Sequence, residues 1–383
     1  MRKNEDAEMN INNLKIHVYV FVITTVICLG VGLSHISSLA GENKLQAIKQ
    51  VNPPSNFRIS NSSQSGTWQN VLPEGLSGLA AQYPGDKDIE KDPDVIFVEK
   101  FSEGTPLQIL ETLSLRKIFK RWDSVTGKDI MSLSSNVPED SADGYSLLIN
   151  HVGGKGSGGG FYRQLLPGYE HLFVRFYVKF DLDCAPMGHF IGSLGGYNPP
   201  TPWPQGGAGA RPDGSKRFTT QVDTYGKDWQ WDFYTYWQGM HVHGDGKYWG
   251  TPFQVKGNKP PVEREKWICV ELMVKMNHPL DASNGEQAFW IDGRLWRSEG
   301  QVVSHVGPGF PKGQWTGGWW RPDVNCDQSF EGFKWRDTED LSINFLWLGP
   351  YMPSVNPGHV SKIWLDNVVV AKKYIGPIEP MKQ

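Results

Sequence analysis

Apolar and polar residues alternate along most of the chain from "DVIFVEKF" to "VVVAKKYIGP". In "HLFVRFYVKFD", Leu172, Val174, Phe176, Val178 and Phe180 share one face while Arg175, Tyr177 and Lys179 share the other. That period of two is the mark of a half-buried strand. "WICVELMVKMN" repeats it, with Val270, Leu272, Val274 and Met276 opposite Glu271, Lys275 and Asn277. "QAFWIDGRLW" holds Asp292-Gly293 between apolar flanks, the dipeptide suited to a two-residue hairpin turn. "LSINFLWLG" and "KIWLDNVVVAKKYI" add two strands, and one short helix is expected over "PLQILETLSLRKIFKRW". Roughly ten or more strands joined by Gly-rich and Pro-rich loops predict an all-β fold, a two-sheet antiparallel β-sandwich of the jelly-roll kind.

Outside that span the pattern fails. Residues 41–94 are rich in Asn, Ser, Gln, Gly, Pro and charge without a sustained apolar period, and read as a flexible linker before a domain at 95–377 and a tail at 378–383. Residues 18–33, "VYVFVITTVICLGVGL", are an uncharged apolar run preceded by Arg2, Lys3 and Lys15 and followed by Ser38-Leu39-Ala40. Residues 1–40 therefore read as a secretory signal or an uncleaved signal anchor, the run being short for a span of roughly 20 residues. Either way the remainder is expected to be exported, secreted if the signal is cleaved and anchored if it is not, with residues 18–33 its only expected membrane contact.

Charge and composition narrow the partners. A formal net charge of -3 over 383 residues argues against a nucleic acid, whose phosphates attract proteins with a clear excess of Lys and Arg. After the apolar run only Cys184, Cys269 and Cys326 remain, so at most one intramolecular disulfide can form, and no paired CxxC suggests zinc. Eleven of the 16 Trp lie from Trp203 to Trp320. Most should be core, but exposed aromatic faces also stack on sugar rings.

The candidate chemistry centres on "WDFYTYWQGMH". On a strand, Tyr234 and Tyr236 share one face and Phe233, Thr235 and Trp237 the other, and either could be the buried one. "RFTTQVDTYG" places Thr219, Gln221 and Asp223 on one face, with Phe218 and Val222 behind. A polar strand face beside a tyrosine pair suits a carbohydrate cleft. "MGHFIGSLGGYNPP" surrounds His189 with glycines that would let the backbone approach a ligand closely.

The order "GHFIGSLGG", "FTTQ", "YTY", "WIDGRLW" and "IWLDNVVVAKKYIG" resembles the family-fourteen polysaccharide lyases and related glucuronan lyases, over roughly residues 95–377. The resemblance implies a concanavalin A-like jelly roll and β-elimination on an acidic, uronate-containing polysaccharide. No cofactor is expected, and a structural calcium ion is left open. The family's Lys site falls on His189 and its Ser and Arg sites on Thr219 and Gln221; its tyrosine pair falls on Tyr234 and Tyr236, the only positions that match in type. β-Elimination removes the proton α to a carboxylate, so it needs a base, an acid for the leaving oxygen and stabilisation of developing charge. The implied catalytic residues are Tyr234, Tyr236 and His189, with one tyrosine shuttling the proton and His189 as its partner or an alternative base. Gln221 and Thr219 would orient the sugar acid. Arg163 in "GGGFYRQL" or Arg217 in "SKRF" would replace the missing cation, and Trp319 in "GGWWRP" would stack on sugar or form part of a packed lid.

Two further functions remain in view: a non-catalytic carbohydrate-binding protein, and a glycoside hydrolase on the same fold, which would need two carboxylates about 5 to 5.5 Å apart if retaining. Asp86, Asp88 and Glu90 alternate suitably but lie in the expected linker and read as a solvated cluster, and Glu271 reads as facing outward. His241, His243 and Asp245 in "MHVHGDGKYWG" have metal-ligating spacing but read better as a hairpin with "GDG" at its turn. "GGKGSGGGF" lacks the GK[ST] of a phosphate-cradling loop.

Overall fold

The computed structural model describes residues 71–102, 108–225, 228–255, 259–317 and 327–381. The apolar run at 18–33, Trp319 and Cys326 lie outside the described residues. In chain order the strands are β1 (Val95–Glu99), β2 (Ser124–Thr126), β3 (Met131–Ser134), β4 (Ser146–Val152), β5 (Gly160–Tyr169) and β6 (His171–Phe180). They continue with β7 (His189–Tyr197), β8 (Arg217–Tyr225), β9 (Gln230–Tyr236), β10 (Trp267–Lys275), β11 (Glu286–Ile291) and β12 (Arg294–Leu295). The series ends with β13 (Arg297–Ser298), β14 (Gln301–Val302), β15 (His305–Val306), β16 (Ile343–Tyr351) and β17 (Val360–Ala371). The expected helix is α1 (Gln108–Lys120).

The architecture is the all-β, two-sheet antiparallel sandwich that the alternation predicts. A nine-stranded sheet runs β12-β11-β10-β6-β17-β4-β3, with β1 also on β17 and β15 on β11, and a six-stranded sheet runs β2-β5-β16-β7-β8-β9. Their inner faces form one core. Leu172, Val174, Phe176, Val178 and Phe180 of β6 meet Phe190, Leu194, Val222 and Phe233 from the smaller sheet. Aromatic rings fill the gap: Phe176 lies 5.6 Å from Phe190 and Phe233 lies 4.9 Å from Phe289, centroid to centroid. Burying one such side chain contributes roughly 1.5–3 kcal/mol, so each ring adds substantially to the cohesion between layers. The Asp292-Gly293 turn forms as expected, with φ of 49° and 72°, closing the Ile291–Arg294 pair as a type I′ hairpin does.

The outer face of the larger sheet departs from the sequence reading. Arg175, Tyr177 and Glu271, expected on a solvated face, are buried. They are covered by residues 71–94, which the composition assigns to a linker, and by the segment after β17. Short 3-10 turns carry Leu79, Ala80 and Ile89 onto Phe173, Trp290 and Tyr374. Such turns follow no regular apolar period, so three inward residues in a polar stretch leave no trace in the pattern.

Asp86, expected to be solvated, is fully buried against Arg175, whose guanidinium also donates to the carbonyls of Gly376 and Asn367 at 3.2 Å. Asp88 and Glu90 do behave as a surface pair set, bonding Lys91 at 2.9 Å and Lys100 at 3.3 Å. Glu271 accepts from the backbone N–H of Ile375 and Gly376 at 2.8 and 2.9 Å. Ile378, assigned to the tail, is buried and donates its N–H to the Tyr177 hydroxyl at 2.9 Å. The outer layer is thus held by buried charges whose partners lie far away in the chain.

Removing one partner of a buried ion pair strands the other, at a cost of about 3–5 kcal/mol. Asp86→Asn, which keeps the left-handed backbone that Asp86 and Asp88 both adopt, should therefore lower the denaturant midpoint by an amount of that order, followed by tryptophan fluorescence, while Asp88→Asn two residues away leaves it unchanged.

Candidate active site

Hydrogen-bond register carries the candidate residues into two rows across the smaller sheet. Tyr162 on β5 faces Trp347 on β16, Trp347 faces Ser193 on β7, Ser193 faces Gln221 on β8, and Gln221 faces Tyr234 on β9. In the second row Phe345, Gly195, Thr219 and Tyr236 follow one another. The intervening residues Leu194, Val222 and Phe233 enter the core between the sheets, which decides the inward face of "DFYTYW": the tyrosines lie on the opposite, groove-side face, where Tyr236 is itself largely buried.

Thr220 and Thr235, also on the inner side, face each other with hydroxyls 3.0 Å apart, and both contact the side-chain carbonyl of Gln287 on β11, at 2.7 and 3.1 Å. This polar strut ties β8 and β9 to the opposite sheet.

The outer rows floor a groove of about 490 Å³ lined by His189, Thr219, Gln221, Tyr234, Tyr236 and Arg217. Gly158 to Gly160 and the rings of Trp249, Trp347 and Tyr351 form its walls. The glycines after His189 serve a different purpose from the one expected. A Cβ at Gly192 would stand 2.8 Å from the Phe176 ring and one at Gly195 would stand 2.5 Å from Phe345, so aromatic rings occupy the space.

His189 is joined through Nδ1 to the carboxylate of Asp223, which is fully buried. The same carboxylate accepts the Phe190 N–H at 2.7 Å and the Gln221 side-chain amide at 3.0 Å. Ser193 donates to the other end of that amide at 2.9 Å, so Gln221 is clamped from both sides. Burial works to lower the His189 pKa, but the charge and hydrogen bond of Asp223 outweigh it and hold the imidazole above its ordinary 6.5. Its ring lies 4.6 Å from that of Tyr234. Burial, reinforced by Tyr236, drives the Tyr234 pKa well up, and the two hydroxyls are 3.4 Å apart. Tyr234 is a proton donor at rest and no base.

Arg217 supplies the groove's cation. Its guanidinium lies 5.6 Å from the Tyr236 ring centroid and donates to the carbonyls of Gly207 and Ala210 at 2.8 and 2.5 Å. Among the described residues it has no acidic partner within ion-pair distance.

The structure thus brings together His189, Thr219, Gln221, Tyr234 and Tyr236. Arg163 does not join them. It follows Tyr162 on β5, so the pleat turns it to the far side, where it pairs with Asp123 at 3.3 Å and lies over Phe97. Trp319 is outside the described residues.

Sequence reasoning placed Asp223 on the polar face without a role, and it passed over Trp249, Trp347 and Tyr351. The two-residue spacing from Gln221 was the one signal for Asp223. The "HGDG" segment is a turn: Asp245 accepts the Lys247 N–H at 3.0 Å and the Trp249 indole N–H at 2.9 Å, which holds that ring at the groove wall. Among the described residues no trio of His, Cys, Asp and Glu is placed to hold a metal, and Cys184 and Cys269 are free, buried thiols.

Because Asp223 is what raises the His189 pKa, Asp223→Asn leaves burial as the dominant influence. NMR titration of the His189 ring should find its pKa above 6.5 in the native protein and below 6.5 in the variant. The linked stability has the same sign: the Asp223 contact contributes fully below pH 6.5 and its contribution is lost as pH rises through the folded-state pKa.

No family model matches the chain, and no curated protein matches it either. Among solved structures it is similar to a double mutant of the alginate lyase Aly36B in complex with alginate tetrasaccharide, at 13% identity and a TM-score of 0.46, covering 73% of this chain and 98% of that one. The alginate lyase vAL-1 from Chlorella virus matches at 12% identity and a TM-score of 0.45, covering 69% and 98%. The cellulose induced protein Cip1 matches at 13% and 0.41, covering 73% and 99%. At these identities and scores no residue role passes from them to this chain.

Proposed function

We propose that this protein is an exported polysaccharide lyase that cleaves an acidic, uronate-containing polysaccharide by β-elimination in the groove of the smaller sheet. The observation that carries the reading is the His189–Asp223 pair beside Tyr234: a basic imidazole and a protonated phenol, ring centroids 4.6 Å apart, facing one groove. With Nδ1 committed to Asp223, His189 presents Nε2 and removes the proton α to the uronate carboxylate. The C–H electron pair passes into the carboxylate as an enediolate, then forms the ring double bond as the glycosidic C–O bond breaks. Tyr234 protonates the departing oxygen, and Tyr236, 3.4 Å away, relays a proton back to it. Arg217 and the clamped Gln221 amide bind the carboxylate on which charge builds.

Two-acid hydrolysis has less support. Among the described residues the groove is lined by no Asp or Glu, Asp223 is fully buried, and Glu271 lies beneath the C-terminal segment of the other sheet.

The test is to incubate the purified protein with alginate, glucuronan, other uronate polymers and neutral glucans while following unsaturated-uronate absorbance and reducing ends together. The two should rise in parallel on a uronate polymer. Reducing ends without absorbance would replace the lyase with a hydrolase, and silence in both would leave a binding protein whose tyrosines stack on sugar.

His189→Ala and Tyr234→Phe should each lower kcat by about 100- to 10,000-fold, the range for a general base or acid. Since the base form of His189 is required, the acid limb of kcat/KM should lie above pH 6.5 and move to lower pH in Asp223→Asn.

Gly250, packed against Tyr234, offers a test that leaves the reacting groups themselves unchanged. A Cβ there would stand 2.5 Å from the Tyr234 ring. Gly250→Ala should displace that ring and reduce kcat at least tenfold while the thermal midpoint shows the fold intact.

A further inference from the structure

We propose that a second depression, contiguous with the groove and rimmed by Arg211 and Lys216, is a distal subsite for the carboxylate of another sugar of the same bound chain; this rests on the lyase reading above. The depression has a volume of about 360 Å³. It shares Tyr197, Gln205, Gly206 and Arg217 with the groove, so the two adjoin across these side chains and an extended polymer lying over Tyr234 and Tyr236 reaches it past Arg217.

Its charge is unbalanced. Arg217, Arg211 and Lys216 face it against one carboxylate, Asp213. That carboxylate is engaged by its own turn, accepting the Ser215 N–H and hydroxyl at 2.9 Å and the Lys216 N–H at 3.1 Å, while the Lys216 ammonium stands off at 3.9 Å. Arg211 lies over the Tyr248 ring at 5.7 Å, which steadies its guanidinium. On a chain of net charge -3, three cations about one concave site form a local positive field that draws a polyanion and does nothing for a neutral glucan. The one aromatic side chain of the depression among the described residues, Tyr197, has its hydroxyl tied to the Gln205 backbone at 3.0 and 3.1 Å, so charge rather than stacking distinguishes this site.

Binding, read apart from turnover, tests the subsite. Calorimetry on the full chain carrying His189→Ala, or Tyr234→Phe if that variant does not fold, would compare uronate disaccharide with tetrasaccharide, each with and without Arg211→Ala/Lys216→Ala. The double variant should weaken tetrasaccharide binding about tenfold, flatten its salt dependence and leave the disaccharide unchanged. Equal losses for both lengths, no loss for either, or no tetrasaccharide binding by the protein with its rim intact would overturn the subsite. A length-dependent loss in a protein that releases no unsaturated product would retain the subsite and remove the lyase reading, so the two fail separately.

Discussion

The site depends on strand register. Trp347, Ser193, Gln221 and Tyr234 come from four strands, and they line up because each is paired with the next across the sheet. Side chains alternate at every step, so a slip of one residue between β8 and β9 would send Tyr234 and Tyr236 into the core and bring Phe233 into the groove. Two features oppose the slip. The apolar inner face is buried against β6 and β10, and Gln287 binds both Thr220 and Thr235 from the opposite sheet. The strut is a polar bond through an apolar layer, and both threonine hydroxyls reach the Gln287 carbonyl in one register only; apolar packing alone tolerates several.

Register then sets the electrostatics. Asp223 lies two residues beyond Gln221 on the same face, so one buried carboxylate binds the imidazole, the amide and a backbone N–H together. The tyrosine next to that imidazole has no charged partner: it meets another phenol, the ring of His189 and the Gly250 backbone. Burial therefore acts in opposite senses on two adjacent groups. His189 gains proton affinity because a charge compensates its desolvation, and Tyr234 keeps its proton because none does. A base and an acid arise side by side from environment, as two-group proton chemistry requires.

The outer face of the larger sheet follows a different rule. Arg175, Asp86 and Glu271 are buried there, and each bonds to groups remote in sequence: Asp86 is 89 residues from Arg175, and Ile375 is 104 residues from Glu271. A buried pair such as Asp86 and Arg175 contributes little net energy but excludes alternatives, since any other docking of residues 71–94 would leave Arg175 without its carboxylate. The two ends of the domain are thereby latched onto the sheet that stands behind the site.

The alternation of apolar residues by itself determined the main strands and the sandwich, because a period of two is a local property of the backbone, and the Asp292-Gly293 dipeptide determined its turn because both residues accept positive φ. The alternation also placed Thr219, Gln221 and Asp223 on one face and the tyrosines together on another. Which tyrosine face was buried, and that Arg217 enters the groove while Arg163 turns away to Asp123, depended on which strands pair and in what register. Those are contacts between residues far apart in the chain, and no local pattern encodes them. The same holds for residues 71–94, whose few apolar side chains acquire meaning only against Phe173 and Trp290, and for Asp86, which looks solvated until Arg175 is set opposite it. Periodicity settled which way each side chain points along its own strand; only the tertiary structure decided what it meets.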